Sequence, residues 1–261
     1  MLFAWLKKRR RRQILATPFP DGWLEYLRRN VTHYAYLSEA EQARLRDDLR
    51  IFIAEKNWEG CGGLQMTDEI KVTIAAQACL LVLGTEHNYY DRVKSILVYP
   101  RGYQAAAEDP LGGGVIVEPG RVWLGEAHYR GPVILSWADV LAESRHPRRG
   151  NTVFHEFAHQ LDFLNGSIDG TPPLRDAAEY RRWREVMTAE FNRLRNDADA
   201  HRPTLLDPYG ATNETEFFAV ATECFFEQPV ELARQHPRLY ELLRDYYHQD
   251  PARRCADRPC P

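Results

Sequence analysis

The chain has 261 residues, 44% of them hydrophobic and 27% charged, the balance of a water-soluble globular protein with room for one sizeable domain or two small ones. A net charge of −3 argues against general nucleic-acid binding, which needs a surplus of Lys and Arg to neutralise phosphate. No stretch approaches the roughly 18 consecutive apolar residues of a membrane span.

The chain opens with six mostly apolar residues followed by the basic run Lys7 to Arg12. A secretory signal places its charges before a longer apolar core, so this order is wrong for export and points to the cytoplasm. Residues 1–17 read as a basic, flexible tail; contact with an anionic membrane surface or an acidic partner is the alternative to a solvated, frayed terminus. Pro18 to Asn30 reads as a short helix. Glu39 to Lys56 forms an amphipathic helix with Leu45, Leu49, Phe52 and Ile53 on one stripe. After the Gly60 to Gly63 break, a buried helix runs from about Asp68 to Leu83, with Gly84 suited to its C-terminal cap.

Four short segments rich in β-branched and aromatic residues follow: Ser95–Tyr99, Gly114–Glu118, Arg121–Gly125 and Pro132–Trp137. Gly and Pro punctuate them, and Pro119-Gly120 reads as a hairpin turn. They suggest one small, mainly antiparallel sheet. Helical pattern returns at Asn151/Thr152, ending at Asn165-Gly166, then over Asp176–Arg195 and Thr212–Glu227. The class is α+β, mostly helical, with residues 18–250 as a single domain and 251–261 as a C-terminal tail. Five cysteines, at 61, 79, 224, 255 and 260, form no paired framework and read as reduced thiols; Cys79 and Cys224 sit in apolar runs typical of a core.

The chemistry concentrates in Thr152-Val-Phe-His-Glu-Phe-Ala-His-Gln-Leu-Asp162. His155 and His159 are four residues apart, so a helix stacks both imidazoles on one face, within reach of a single ion. Glu156, one residue on, lies beside such an ion, where a base must sit to take a proton from bound water. The intervening positions are apolar, which strengthens every charge in the site. Two solvated histidines on a surface helix are the bland alternative; the delimited helix around the motif favours the metal. Zinc suits two imidazoles, and a catalytic zinc needs one further protein ligand and an open position. Asp162 is about 10 Å along the axis from His155, too far to share a tetrahedral site, and reads as an acceptor near His159 or simply as a polar residue in the last turn. The later segment Tyr209 to Glu223 offers two rival carboxylates, Glu216 and Glu223. Spacing favours Glu216, although Asn213 to Glu216 also fits a capping box. Tyr209 reads equally as a turn-flanking aromatic.

HEFAHQLD, the loop Gly166 to Pro173 and YGATNETEFFAVATECFF together resemble the Mlc titration factor A family of zinc peptidases. GCGGLQMTDEIKVTIAAQACLLVLG, SILVYP and LSW extend the likeness from about Pro18 to Tyr247. The distal motif is also similar to the catalytic domain of anthrax lethal factor, another zinc peptidase with a glutamate ligand. The resemblance implies a zincin-like fold, one Zn²⁺ held by His155, His159 and Glu216, Glu156 as general base, and Tyr209 as donor to the developing oxyanion. It further implies aminopeptidase-like action on short peptides and binding of a glucose repressor of the Mlc type. A non-catalytic, zinc-containing regulator that sequesters a transcription factor is the competing reading. A structural zinc would be closed by four protein ligands, whereas three and a base are offered here.

Overall fold

The computed structural model describes residues 2–101, 117–118, 121–122, 131–147 and 150–256. They fall into two compact units, Met1–Leu83 with His87–Arg145, and Gly84–Glu86 with His146–Pro261.

In the first unit, helices α1 (Leu2–Ala16), α2 (Asp21–Asn30), α3 (Glu39–Glu55) and α4 (Asp68–Val82) accompany α5 (Trp137–Arg145) and a small sheet. Ser38 starts α3 with a full capping box: its Oγ accepts from Glu41 N–H, and the Glu41 carboxylate accepts from Ser38 N–H at 2.8 Å. Leu45, Leu49 and Phe52 face the core as their spacing requires, while Ile53 is only half-buried. Helix α4 is buried almost all round, from Ile70 to Val82 apart from Lys71. The basic run does not trail as a loose tail. It belongs to α1, which packs on α3 because Arg11 grips Glu55 with two bonds of 2.6 and 2.8 Å. Arg50 adds bonds to the carbonyls of Ile14 and Thr17 at the end of α1.

The sequence pattern points to a mainly antiparallel sheet; the three-stranded sheet is parallel throughout. Strands β1 (Asn57–Gly60), β2 (Ser95–Tyr99) and β5 (Val133–Ser136) lie in that order, with Trp58 opposite Ile96 and Val98 opposite Leu135. The reason is the connection. Helix α4 lies between β1 and β2, and a crossover of that length returns the chain parallel to its start. Strand β1, Asn-Trp-Glu-Gly, has no apolar run to announce it. Ile96, Val98, Val133 and Leu135 are buried. Among the described residues, the antiparallel expectation holds only for β3 (Val117–Glu118) with β4 (Arg121–Val122). Gly114, the Pro119-Gly120 turn and residues 123–125 lie outside the described residues. Trp137 opens α5 rather than closing a strand.

The second unit contains α6 (Thr152–Asp162), α7 (Ala177–Asp199), α8 (Glu214–Glu227), α9 (Pro229–Gln235), α10 (Pro237–Tyr247) and α11 (Pro251–Ala256). The last four are separated by Gln228-Pro229, His236-Pro237 and Asp250-Pro251; each Pro enters at a first turn, where its missing N–H costs nothing. Helix α8 is buried along its length, with Phe218 against Trp183 and Phe217 against Phe191 of α7, and Phe226 against Phe154 of α6. Cys79 and Cys224 are buried free thiols and Cys61 is half-exposed. The reduced-thiol expectation fails at Cys255, which is disulfide-bonded.

Candidate metal centre

Everything in the site hangs on α6 and α8. Asn151 caps α6, its Oδ1 accepting from Phe154 N–H at 3.0 Å. Val153, Phe154, Phe157 and Ala158 are fully buried and seat the helix, so the His155–His159 edge is left for chemistry. Asn213 caps α8 by accepting from Glu216 N–H at 2.9 Å. Glu216 makes no reciprocal capping bond: its carboxylate turns to the histidines instead.

Glu216 Oε2 lies 3.0 Å from His155 Nε2 and 3.5 Å from His159 Nε2, and the two Nε2 atoms are 3.1 Å apart. A tetrahedral zinc with bonds of about 2.0–2.1 Å has ligand atoms roughly 3.3–3.4 Å from one another. The triangle matches. Three lone-pair atoms so close repel unless a positive charge sits among them. The titration directions express the same demand. Burial works against charging His155, yet bonds to Glu216 and Glu223 raise its pKa well above the imidazole range. Burial works against ionising Glu216, yet His155 and His159 hold its carboxyl far below the usual value. Two neutral imidazoles and a carboxylate are a donor set that zinc or a similar divalent cation accepts. Among the described residues, His155, His159 and Glu216 form the one cluster of His, Cys, Asp or Glu that could hold a metal ion.

Glu223, the rival ligand by spacing, lies behind His155. Its Oε1 accepts from His155 Nδ1–H at 2.7 Å, and its Oε2 accepts from the backbone N–H of Asn151. A carboxylate can only accept, so the proton is on Nδ1 and Nε2 is the nitrogen presented for coordination. Glu227 takes the Asn151 side-chain amide at 2.9 Å. One face of α8 thus carries Glu216, Glu223 and Glu227, which engage His155 and His159, His155 and Asn151, and Asn151 in turn. Sequence reasoning missed these last two roles. The clue available was a run of carboxylates at positions 216, 223 and 227 in an otherwise apolar helix, each needing compensation.

Glu156 stands next to the trio and is half-buried. Burial raises its carboxyl pKa, Glu216 and Glu223 push the same way, and the two histidines oppose. Tyr209 sits on a short 3₁₀ turn, Pro208–Ala211, capped by Asp207, whose Oδ1 accepts from Tyr209 N–H at 2.8 Å. Gly210 lets that turn press against α7 and α8: a Cβ there would stand 3.2 Å from Leu194 Cδ2 and Val220 Cβ. The Tyr209 ring comes within 6.0 Å of the His155 ring, centroid to centroid. Asp162, expected near His159, accepts through Oδ2 from Gly170 N–H at 2.9 Å. It ties the Gly166 to Pro173 loop to the end of α6.

A His-Glu-x-x-His helix completed by a glutamate from a later helix defines a metallopeptidase-type centre. The family described as Glucose-regulated metallo-peptidase M90 matches residues 5–248, and the chain belongs to that family. The chain is 39% identical over 248 residues to Uncharacterized protein slr2042 of Synechocystis sp., covering 94% of this chain and 90% of that one. It is 31% identical over 225 residues to Mlc titration factor A of Klebsiella pneumoniae strain 342, covering 85% and 84%. The similarity to Mlc titration factor A of Salmonella agona is 31% over 223 residues, 84% and 83% of the two chains.

Proposed function

We propose that the chain is a zinc-dependent, zincin-like (gluzincin-type) peptidase of the cytoplasm that removes residues from the amino end of short peptides. The observation that carries this reading is the convergence of the His155, His159 and Glu216 donor atoms, all within 4.8 Å of one another. His155, His159 and Glu216 hold the ion. When bound, zinc supplies a water acidified toward neutrality and polarisation of the scissile carbonyl. Glu156 takes the proton of the attacking water and returns it to the leaving amine. Its raised pKa suits the first half of that cycle, because a more basic carboxylate takes up a proton more readily. The Tyr209 phenol donates to the oxyanion of the tetrahedral species. Glu223 keeps the proton on His155 Nδ1.

The test is a comparison of wild type with Glu156→Gln on a panel of amino-acid nitroanilides, with metal content measured in parallel. The variant retains its metal and loses hydrolysis by at least roughly 10²-fold. Activity that survives with metal bound removes Glu156 from the mechanism.

The name of the Klebsiella and Salmonella relatives, Mlc titration factor A, favours a second property: sequestration of a transcriptional repressor of the Mlc type. It is compatible with catalysis. Titration of purified repressor with Glu156→Gln separates the two, because a non-catalytic regulator binds undiminished.

A further inference from the structure

We infer that helix α1 is a docking surface for an anionic phospholipid bilayer. With 3.6 residues per turn, positions 7, 11 and 14 share one face of α1 and positions 5, 8, 9 and 12 the opposite one. The first face is taken. Arg11 grips Glu55, Lys7 stands 3.9 Å from the same carboxylate, and the Ile14 carbonyl accepts from Arg50. Arg10, at the margin, donates to the Ala54 carbonyl at 3.1 Å.

The second face, Trp5, Lys8, Arg9 and Arg12, is exposed along its whole length. No ion pair engages Lys8, Arg9 or Arg12 among the described residues. Trp5 is 51% exposed and Leu6, beside it, 45%. The helix is therefore fixed to its unit by one set of cations while another set, capped by an indole and an isobutyl group, faces outward. Arg9 lies over the Trp5 ring at 5.6 Å, which holds the indole against the cationic stripe.

This arrangement fits a lipid surface on three counts. A protein of net charge −3 gathers six consecutive cations on one short helix, so the positive potential is local. Each cation near an anionic bilayer raises partitioning roughly fivefold, so three give about a hundredfold. Trp and Leu at one end of the stripe supply the second, apolar signal that stable interfacial binding needs. A nucleic acid would use the cations but has no use for Leu6.

The test uses the full chain, pelleted with phosphatidylcholine vesicles with or without about a third phosphatidylserine. Partitioning to the anionic vesicles is expected to exceed that to neutral ones by about a hundredfold and to collapse near 1 M salt, where the Debye length is about 3 Å. The triple variant Lys8→Ala, Arg9→Ala, Arg12→Ala loses the anionic preference. Trp5→Ala with Leu6→Ala weakens binding roughly tenfold while keeping that preference. These side chains are exposed, and an unchanged circular dichroism spectrum shows that each variant folds. Equal partitioning to both vesicles, absence of pelleting, or tighter binding to a duplex oligonucleotide that depends on the three cations and not on Trp5 and Leu6, overturns the inference.

Discussion

The Nδ1–H of His155 donates to Glu223 Oε1 across 2.7 Å, and the other oxygen of the same carboxylate accepts from the backbone at the start of the helix that carries His155. One side chain thereby sets the tautomer of the imidazole and anchors the first turn beneath it. Glutamine offers one acceptor where two are used, so Glu223→Gln breaks one bond and Glu223→Ala breaks both. Both variants should weaken metal binding by roughly 10- to 100-fold, and the alanine variant should also lose about 1–3 kcal/mol of stability. Chelator competition and denaturant unfolding read the two effects. An unchanged metal affinity would remove Glu223 from the site.

Tyr209→Phe deletes a single hydroxyl from a ring 6.0 Å from His155. If that hydroxyl stabilises the oxyanion, kcat falls by roughly 10²-fold while metal content and KM stay close to wild type. A fall in metal content would instead make Tyr209 a structural member of the site.

Much of this site was legible in the sequence, and the parts that were not share a cause. Helical spacing alone puts His155 and His159 on one face, and the caps at Asn151 and Asn213 mark where α6 and α8 begin. Spacing favours Glu216 without excluding Glu223, because both lie on the inward face of α8, two turns apart. Their division of labour follows from where α6 crosses α8, a tertiary fact. The sheet shows the same limit. Its apolar strands were readable, but its direction depends on β1, whose Asn-Trp-Glu-Gly carries no strand pattern. Helix α1 went unrecognised as a docked element because its partner, Glu55, lies 44 residues from Arg11 in sequence.

Asp162 should give the metal-free protein a distinctive pH dependence. It is fully buried, Oδ2 accepts from Gly170 N–H, and Oδ1 has no hydrogen-bond partner among the described residues. Burial pushes its carboxyl pKa from 3.8 up to about 6. Between those values the folded chain binds more protons than the unfolded chain, so stability falls as pH rises through the window. The loss approaches about 3 kcal/mol when complete. Asp162→Asn keeps an acceptor for Gly170 and removes the titration. Urea midpoints across the window, in excess chelator, should decline with pH more steeply for wild type than for the variant. Parallel curves would show that Asp162 is not titrating there.

Gly170 is the tightest point behind the site. Its φ is 72°, and a Cβ would sit 2.3 Å from the carbonyl oxygen of Glu214, the first residue of α8. Its own carbonyl accepts from Trp183 Nε1–H at 3.0 Å, so the loop cannot easily retreat. Gly170→Ala should destabilise the chain by more than about 1 kcal/mol. The displaced helix start, two residues before Glu216, should lower metal affinity as well. Thermal melts with and without added zinc report both, and a melting temperature equal to wild type would contradict the packing described.

The central claim is that two imidazoles and one carboxylate form a cation site, and metal stoichiometry tests it most directly. Plasma mass spectrometry on purified wild type, His155→Ala, His159→Ala and Glu216→Ala should find about one zinc per chain in wild type and a small fraction of that in each variant. A metal-free wild type after exposure to zinc, or variants that keep a full complement, would contradict it.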